Sequence, residues 1–281
     1  MTFNAYAKLN ILLNIHGKYF NGYHSIESVM IPISLCDVLD IKIIPYSNDI
    51  IIQSTDPSIP MDERNILYKC GKLFQKHFNI SDGFKIKLYK NIPVQSGLGG
   101  ESTDAACFMH FLNSNYHLTL PYNSMFYLGR LLSWDVPICY LQRCIYVHDK
   151  KEICEILDIK SKLYFLLIMP DFGISTKKAF ENLDKIQHEN VDAYPLINAL
   201  LTSPNQVGLY IHNCFIQAEA RLMKEYSNFK KISKQMGFDG VSMTGTGSCF
   251  FFITTKEDIL TKGYNYFKDL YPFVSTASLV L

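Results

Sequence analysis

The stretch Phe84-Lys85-Ile86-Lys87-Leu88-Tyr89-Lys90 alternates strictly between apolar and polar positions. It runs almost directly into Pro93-Val94-Gln95-Ser96-Gly97-Leu98-Gly99-Gly100-Glu101-Ser102-Thr103-Asp104-Ala105-Ala106. A period of two predicts a half-buried strand. The alanine-rich continuation predicts a helix with Ala106, Met109 and Leu112 or their neighbours on its buried side. A strand that ends in a Gly/Ser loop opening a helix confines the chain to folds mixing the two elements. It is also a physical means of holding phosphate, because glycines let the backbone approach closely, N–H groups converge, and the positive end of the helix dipole favours an anion. Taken alone, the loop is either such a cradle or a surface turn. It is not a Walker A loop, since no Gly-Lys-Ser/Thr follows, and it is not GxGxxG.

The other segments supply more of both elements. From Ala7 to Ile15 the pattern sorts Ala7, Leu9, Ile11, Leu13 and Ile15 onto one strand face and Lys8, Asn10, Leu12 and Asn14 onto the other, so Lys8 and Asn10 point the same way. A turn is expected over Lys18 to His24, strands over Asp37 to Ile44 and Ile50 to Gln53, and a loop over Ser54 to Arg64. Asn65 is a plausible N-cap for a helix carrying Leu67, Cys70, Phe74 and Phe78. Later come a buried strand over Leu163 to Met169, a helix from Thr176 to Leu183, a long helical zone in one or two pieces from Gln206 to Met236, and a glycine-punctuated strand pair from Val241 to Ile253. The result is an α+β chain. Its 281 residues are enough for two domains, which we place at 1–150 and 151–281, with the junction in the polar segment Asp149 to Lys162.

Composition excludes several classes of function. With 27 Lys+Arg against 26 Asp+Glu, the chain has no long-range field to gather a polyanion, so a nucleic-acid partner is not expected. The eight cysteines form no CxxC pair and mostly lie in apolar stretches, which suits free buried thiols in a reducing, cytoplasmic compartment better than zinc chemistry. The opening MTFNAYAKLNILLNI does not read as a signal peptide. No segment has the roughly 18 consecutive apolar residues of a membrane span, so no membrane partner is expected either.

Two charged residues lie in apolar surroundings. Lys8 projects from an apolar strand, either into solvent at a wet edge or toward a charged partner. Asp135, in Leu132-Ser133-Trp134-Asp135-Val136-Pro137, is either a helix N-cap or a partner for a cation. Beside a phosphate loop, a lysine and an aspartate are the ingredients of phosphoryl transfer to a hydroxyl: the carboxylate accepts the proton and the ammonium steadies the developing charge.

Ala7-Lys8-Leu9-Asn10, Asn21-Gly22-Tyr23-His24, the Pro93 to Ala106 tract, Asp135-Val136-Pro137 and Thr244-Gly245-Thr246-Gly247-Ser248 occur here in the order found in the GHMP small-molecule kinases, which the chain resembles from Ala7 to at least Phe250. The Ala-Lys-Leu-Asn start and the Asn-Gly-Tyr-His turn resemble the branch of non-mevalonate isoprenoid synthesis, whose acceptor is a cytidine diphosphate-linked methylerythritol. The resemblance implies a two-domain GHMP kinase fold, with an N-terminal nucleotide-binding domain and a C-terminal substrate domain, and it implies ATP as co-substrate with Mg2+ as counterion. It implies Lys8 and Asp135 as the catalytic pair. Pro93, Val94, Gln95, Ser96, Gly97, Leu98, Gly99, Gly100, Glu101, Ser102 and Thr103 would wrap the ATP phosphates, with Asn65 and Lys90 near the nucleotide. Asn10, Tyr23 and Thr176 would contact the acceptor, His24 would read the cytosine, and Phe180, in the Thr-x-x-Ala-Phe pattern, would either stack on that ring or belong to the core.

The sequence departs from the family pattern at three places. Gln95 and Glu101 stand where a small residue is usual, and Ser133-Trp134 precede Asp135 in place of glycine and a small residue. A carboxylate at Glu101 is compatible with a bound triphosphate only if it turns outward or meets the metal. Neither the metal ligands nor the oligomeric state follows from the sequence.

Overall fold

The computed structural model describes residues 1–20, 22–148 and 153–281; Asn21 of the expected turn and Asp149–Glu152 at the expected junction lie outside them. Strands β1 (Thr2–Lys18), β2 (His24–Ile44) and β3 (Ile50–Ser54) come first, followed by helix α1 (Ile66–Phe78), β4 (Gly83–Tyr89) and three helices, α2 (Gly100–Asn115), α3 (Tyr122–Leu132) and α4 (Val136–Leu141). Then come β5 (Ile145–His148), β6 (Ile153–Ile156), β7 (Tyr164–Met169), α5 (Thr176–Leu183), α6 (Tyr194–Thr202), β8 (His212–Asn213), α7 (Ala220–Met236), β9 (Gly240–Met243), β10 (Phe250–Thr254), α8 (Glu257–Phe267) and β11 (Phe273–Ser278). The chain divides into two compact units, neither of them contiguous: Met1–Ala7, Leu35–Pro93 and Gly99–Gln142 make the first, and Lys8–Ser34, Val94–Leu98 and Arg143–Leu281 the second.

In the first unit, β3 runs parallel to β4, and β4 pairs antiparallel with Val38–Ile44 of β2. Phe84, Ile86 and Leu88, the apolar set of the alternating stretch, are buried beneath α1 and α2. Phe84 meets Phe108 edge to face at 5.3 Å, and both rings are fully buried, which adds to the apolar gain at this layer. Helix α2 is buried nearly all round, from Ser102 to Met109 as well as at Phe111 and Leu112, so it has no single apolar stripe.

In the second unit, β11-β7-β10-β9 form an antiparallel sheet whose core includes Leu166, Ile168, Phe250 and Phe252, packed with Phe229 of α7 and Phe267 of α8. The second unit's stretch of β1 lies between β8 and β2, and β5 and β6 continue from β2. Lys8, Asn10 and Asn14 are therefore on a central strand and all are buried, so the wet-edge alternative for this face does not hold.

Two expectations change. Strand β2 begins at His24, well before Asp37, because Ser28 satisfies itself inside the sheet: its hydroxyl donates to Leu12 O at 2.6 Å and accepts from Asn10 Nδ2. The zone from Gln206 is helical only from Ala220. Before that, 3₁₀ turns over Pro204–Leu209 and Cys214–Ala218 flank β8. Asn213 accounts for the interruption, since it donates to Met243 O and Gly245 O and accepts from its own Phe215 N–H, which seats the chain on β1 instead of in a helix.

Candidate functional site

The second unit assembles the lysine half of the expected site. Lys8 Nζ donates to Asn10 Oδ1 and, at 2.6 Å, to Gly97 O, while the Lys8 backbone N–H donates to Leu98 O at 3.0 Å. The Asn10 N–H donates to Thr244 Oγ1, and that hydroxyl donates to the same Gly97 carbonyl. On the other side of the loop, Ser96 O accepts from Cys249 N–H. Residues Ser96 to Leu98 are thus tied to β1 on one side and to the Thr244–Cys249 segment on the other. These bonds hold the loop without a bound ligand, a form of preorganisation. Val94 and Gln95 are exposed, and Gln95 has a left-handed φ of 54°, a conformation that a glycine adopts at lower cost.

Gly97 cannot be replaced quietly. Its φ is +78°, and a Cβ there would lie 2.2 Å from Thr244 O. Gly97→Ala is expected to cost about 2 kcal/mol or more of stability and to displace the carbonyl that holds Lys8. A thermal melt and an ATP titration check this; an unchanged melting point with unchanged ATP affinity would refute it.

The same unit brings His24, Phe180 and Thr176 into order. His24 Nε2 lies 2.7 Å from Asp184 Oδ1, and Lys18 Nζ lies 3.2 Å from Asp184 Oδ2. The His24 side chain is 10% exposed, and its ring sits 4.5 Å from that of Phe180 at a tilt of 30°. Phe180 also meets Phe215 edge to face and is half-buried, so it belongs to the core edge and still presents surface. Tyr23 is exposed, and Thr176 Oγ1 lies 3.3 Å from Thr246 Oγ1. The hydrogen bond from His24 comes first among the causes that hold the Asp184 carboxyl below its ordinary range.

The first unit carries the helix half. Gly99, with φ 75°, is the N-cap of α2 and offers no side-chain cap to the first-turn N–H groups, which suits an anion there. Gly100 is half-buried beside it. Glu101 is exposed, while Ser102 and Thr103 are buried and Thr103 Oγ1 donates to Tyr6 O at 2.6 Å. Pro93 is half-buried at the end of the preceding segment. Asn65 is structural in its visible bonds: Oδ1 caps Leu67 N–H at 2.8 Å and Nδ2 donates to Pro60 O at 2.7 Å.

Lys90 is buried beneath the start of α2, its ammonium 3.1 Å from where a Cβ on Gly100 would be. It donates to Asp37 Oδ2 and, at 3.3 Å, to Asp104 Oδ2, while Asp37 Oδ1 accepts from the Asn91 and Ile92 N–H groups. One ammonium faces two buried carboxyl groups. Burial first, with the neighbouring Asp37 adding to it, pushes Asp104 well above 3.8, whereas the two carboxylates outweigh the burial of Lys90 and hold it above 10.5. We read the cluster as a charged Lys90 beside a protonated Asp104, with Asp37 as the second hydrogen-bond partner of the ammonium.

Asp135 occupies the N-cap position of α4 without making a side-chain capping bond; its backbone carbonyl accepts from Cys139 N–H at 2.9 Å. Its side chain is half-buried. Trp134 stacks on Arg130, whose guanidinium lies 3.3 Å from the ring centroid, so the indole is engaged with α3. Sequence reasoning gave no site role to Asp37, Asp104, Thr244 or Asp184. Two of them left a usable signal: Thr244 opens the Thr-Gly-Thr-Gly-Ser motif, and Asp184 lies four residues after Phe180 at the end of one helix.

The GHMP kinases N terminal domain family matches residues 65–143. A 4-diphosphocytidyl-2-C-methyl-D-erythritol kinase of Clostridium tetani is 34% identical, over 96% of this chain and 97% of its own. One from Clostridium beijerinckii is 33% identical, over 89% and 90%. Among solved structures, a 4-(cytidine 5'-diphospho)-2C-methyl-D-erythritol kinase aligns with a TM-score of 0.83 at 24% identity over 99% of both chains. A homoserine kinase of Cytophaga hutchinsonii gives 0.76 at 17% identity, over 100% and 94%. Both share this α+β fold.

Proposed function

Because this chain belongs to the 4-diphosphocytidyl-2-C-methyl-D-erythritol kinase family of the GHMP kinases, we propose that it transfers the γ-phosphoryl group of ATP to the 2-hydroxyl of that cytidylyl substrate, a step of non-mevalonate isoprenoid precursor synthesis. The observation that carries the reading is the Lys8 ammonium, bonded at once to Asn10 and to the Gly97 carbonyl of the phosphate loop. That arrangement supports a role for Lys8 in stabilising charge that develops during transfer. Asp135 is the base: it takes the proton of the 2-hydroxyl as that oxygen bonds to the γ-phosphorus, the bond to the bridging oxygen breaks, and ADP leaves. The loop from Pro93 to Thr103 binds the triphosphate, with the uncapped start of α2 as its anion-binding end. Asn10, Tyr23, His24, Thr176 and Phe180 bind the acceptor and its cytidine handle, whose binding energy positions the hydroxyl.

Among the described residues no group of three or more His, Cys, Asp or Glu is gathered to hold a metal. Magnesium keeps several waters and joins phosphates with one or two carboxylates instead of a full protein cage. Glu101, exposed on the first turn of α2, is the carboxylate that would hold it. Bound there, the ion would neutralise triphosphate charge. The eight cysteines are thiols outside any disulfide, and burial raises Cys107, Cys144, Cys214 and Cys249 to about 12. Such unreactive thiols accord with a cytoplasmic enzyme. No described helix is long and apolar enough to cross a membrane.

The test is ADP release with Mg-ATP and, in parallel, the cytidylyl substrate, mevalonate and homoserine. Release with the first acceptor alone is expected, and release with either of the others, or with none, overturns the reading. His24→Ala should raise KM for the cytidylyl substrate by about 10-fold or more through the loss of a polar base contact while leaving KM for ATP within twofold. An equal rise in both would remove His24 from base recognition.

A further inference from the structure

We propose that Asp184 is a positioning residue for His24: it fixes the imidazole in the tautomer protonated at Nε2, so that Nδ1 presents a lone pair that selects a base bearing an exocyclic amino group. This rests on the cytidylyl reading above. A histidine used to recognise a base must offer either a donor or an acceptor, and in the neutral ring the bond made by one nitrogen decides what the other can do. Here Nε2 lies 2.7 Å from Asp184 Oδ1, and a carboxylate can only accept, so the proton stays on Nε2. In the neutral ring Nδ1 is then an acceptor. The 4-amino group of cytosine can donate to it, whereas the 4-carbonyl of uracil would place two acceptors against each other.

Three further contacts hold the arrangement. The second carboxylate oxygen of Asp184 binds Lys18 at 3.2 Å, which limits rotation of the carboxylate away from His24. The Phe180 ring covers one face of the imidazole at 4.5 Å, and Phe215 in turn braces Phe180 at 4.9 Å. Asp184 is also the C-cap residue of α5 and lies four residues after Phe180, so one helix end delivers both the stacking ring and the carboxylate. The chain from Asn190 is pinned to β1 as well: Asn190 exchanges hydrogen bonds with both Ile15 N–H and Ile15 O, and Asn14 with Val191 N–H and O. The connection that follows Asp184 is therefore anchored on the strand that carries Lys8 and Asn10.

The experiment reads the ring directly. Nitrogen NMR of labelled protein should show His24 with its proton on Nε2 and an unprotonated Nδ1 near neutral pH. Asp184→Asn should lose that single-tautomer signature, because the amide can donate as well as accept, and Asp184→Glu should recover at least part of it. Lys18→Ala, which removes only the other partner of the carboxylate, should keep it. In parallel, calorimetric affinity for CDP should fall about 10-fold in Asp184→Asn while that for UDP changes less than threefold, so discrimination between the two bases narrows. KM for ATP should stay within twofold. Doubly protonated His24 in the wild type, an unchanged tautomer in Asp184→Asn, or an equal loss of CDP and UDP binding each overturns the assignment. Because CDP binding and NMR need no turnover, failure of the wild-type kinase assay would count against the proposed reaction and not against the role of Asp184.

Discussion

Asp135→Asn should lower kcat by about 10³-fold, within the range that a positioned general base contributes, while ATP affinity measured by calorimetry stays within twofold. The substitution is expected to leave the start of α4 in place. Although Asp135 is the N-cap residue of α4, its side chain makes no capping bond there, and the helix start is held by the buried Val136 and Pro137 and by the bond from Cys139 N–H to Asp135 O, all of which asparagine leaves intact. An amide of the same shape cannot accept the proton of the acceptor hydroxyl. Charge stabilisation by Lys8 and binding of both substrates would remain, so kcat and kcat/KM should fall together while KM for the acceptor changes little. Retention of more than a tenth of wild-type kcat, with an unchanged melting point, would remove Asp135 from the role of base. A fall in kcat accompanied by weakened ATP binding would mean that the variant had disturbed the first unit instead.

The parts of this molecule that were legible in its sequence are those fixed by local chemistry. The strict alternation from Phe84 to Lys90 forms β4, the glycines after it open α2, and Asn65 caps α1 with its own side chain, each within a residue or so of expectation. Alternation also placed Lys8 and Asn10 on one face. What it could not say is that the face is buried, because burial depends on β8 and β2 flanking β1, and those strands come from distant parts of the chain. The same reason hid the early start of β2, where Ser28 is acceptable only because Leu12 and Asn10 offer it partners. It also hid the break before α7, where Asn213 trades helical bonds for the carbonyls of Met243 and Gly245. Within the candidate site, motif residues could be named, but the residues that hold them could not. Asp37 has no local pattern that marks it as a partner for Lys90, and Asp104 reads as one more residue of an alanine-rich helix.

Lys90→Met should be the most destabilising of the substitutions considered, with a loss of about 3–5 kcal/mol at neutral pH, since removing the ammonium leaves two buried acids without their cation. Lys90 is 4% exposed and its two partners are 0% and 3% exposed, so water cannot replace the ammonium without opening the core under α2. The pH dependence follows from the directions of the shifts. Asp104 titrates well above 3.8 in the fold, so the native state keeps a proton that the unfolded chain gives up, and this group's contribution falls as pH rises from about 3.8 toward its folded value. Lys90 titrates above 10.5 in the fold, so its contribution is complete below that pH and is lost only as pH rises through the folded value. Without Lys90, Asp37 also loses its cation, and both carboxyl groups are easier to keep buried when protonated. The gap between variant and wild type should therefore be small near pH 5 and widen toward pH 8, as thermal and urea melts at the two values would show. Adding Asp104→Asn to Lys90→Met should recover part of the loss, because it removes one of the two stranded acids. A gap that does not change with pH, or a double variant no more stable than the single one, would mean that the cluster is not held by charge. The start of α2 lies directly above this ammonium, at Gly100, so the same melts bear on the phosphate loop: where the variant folds, KM for ATP should rise as well.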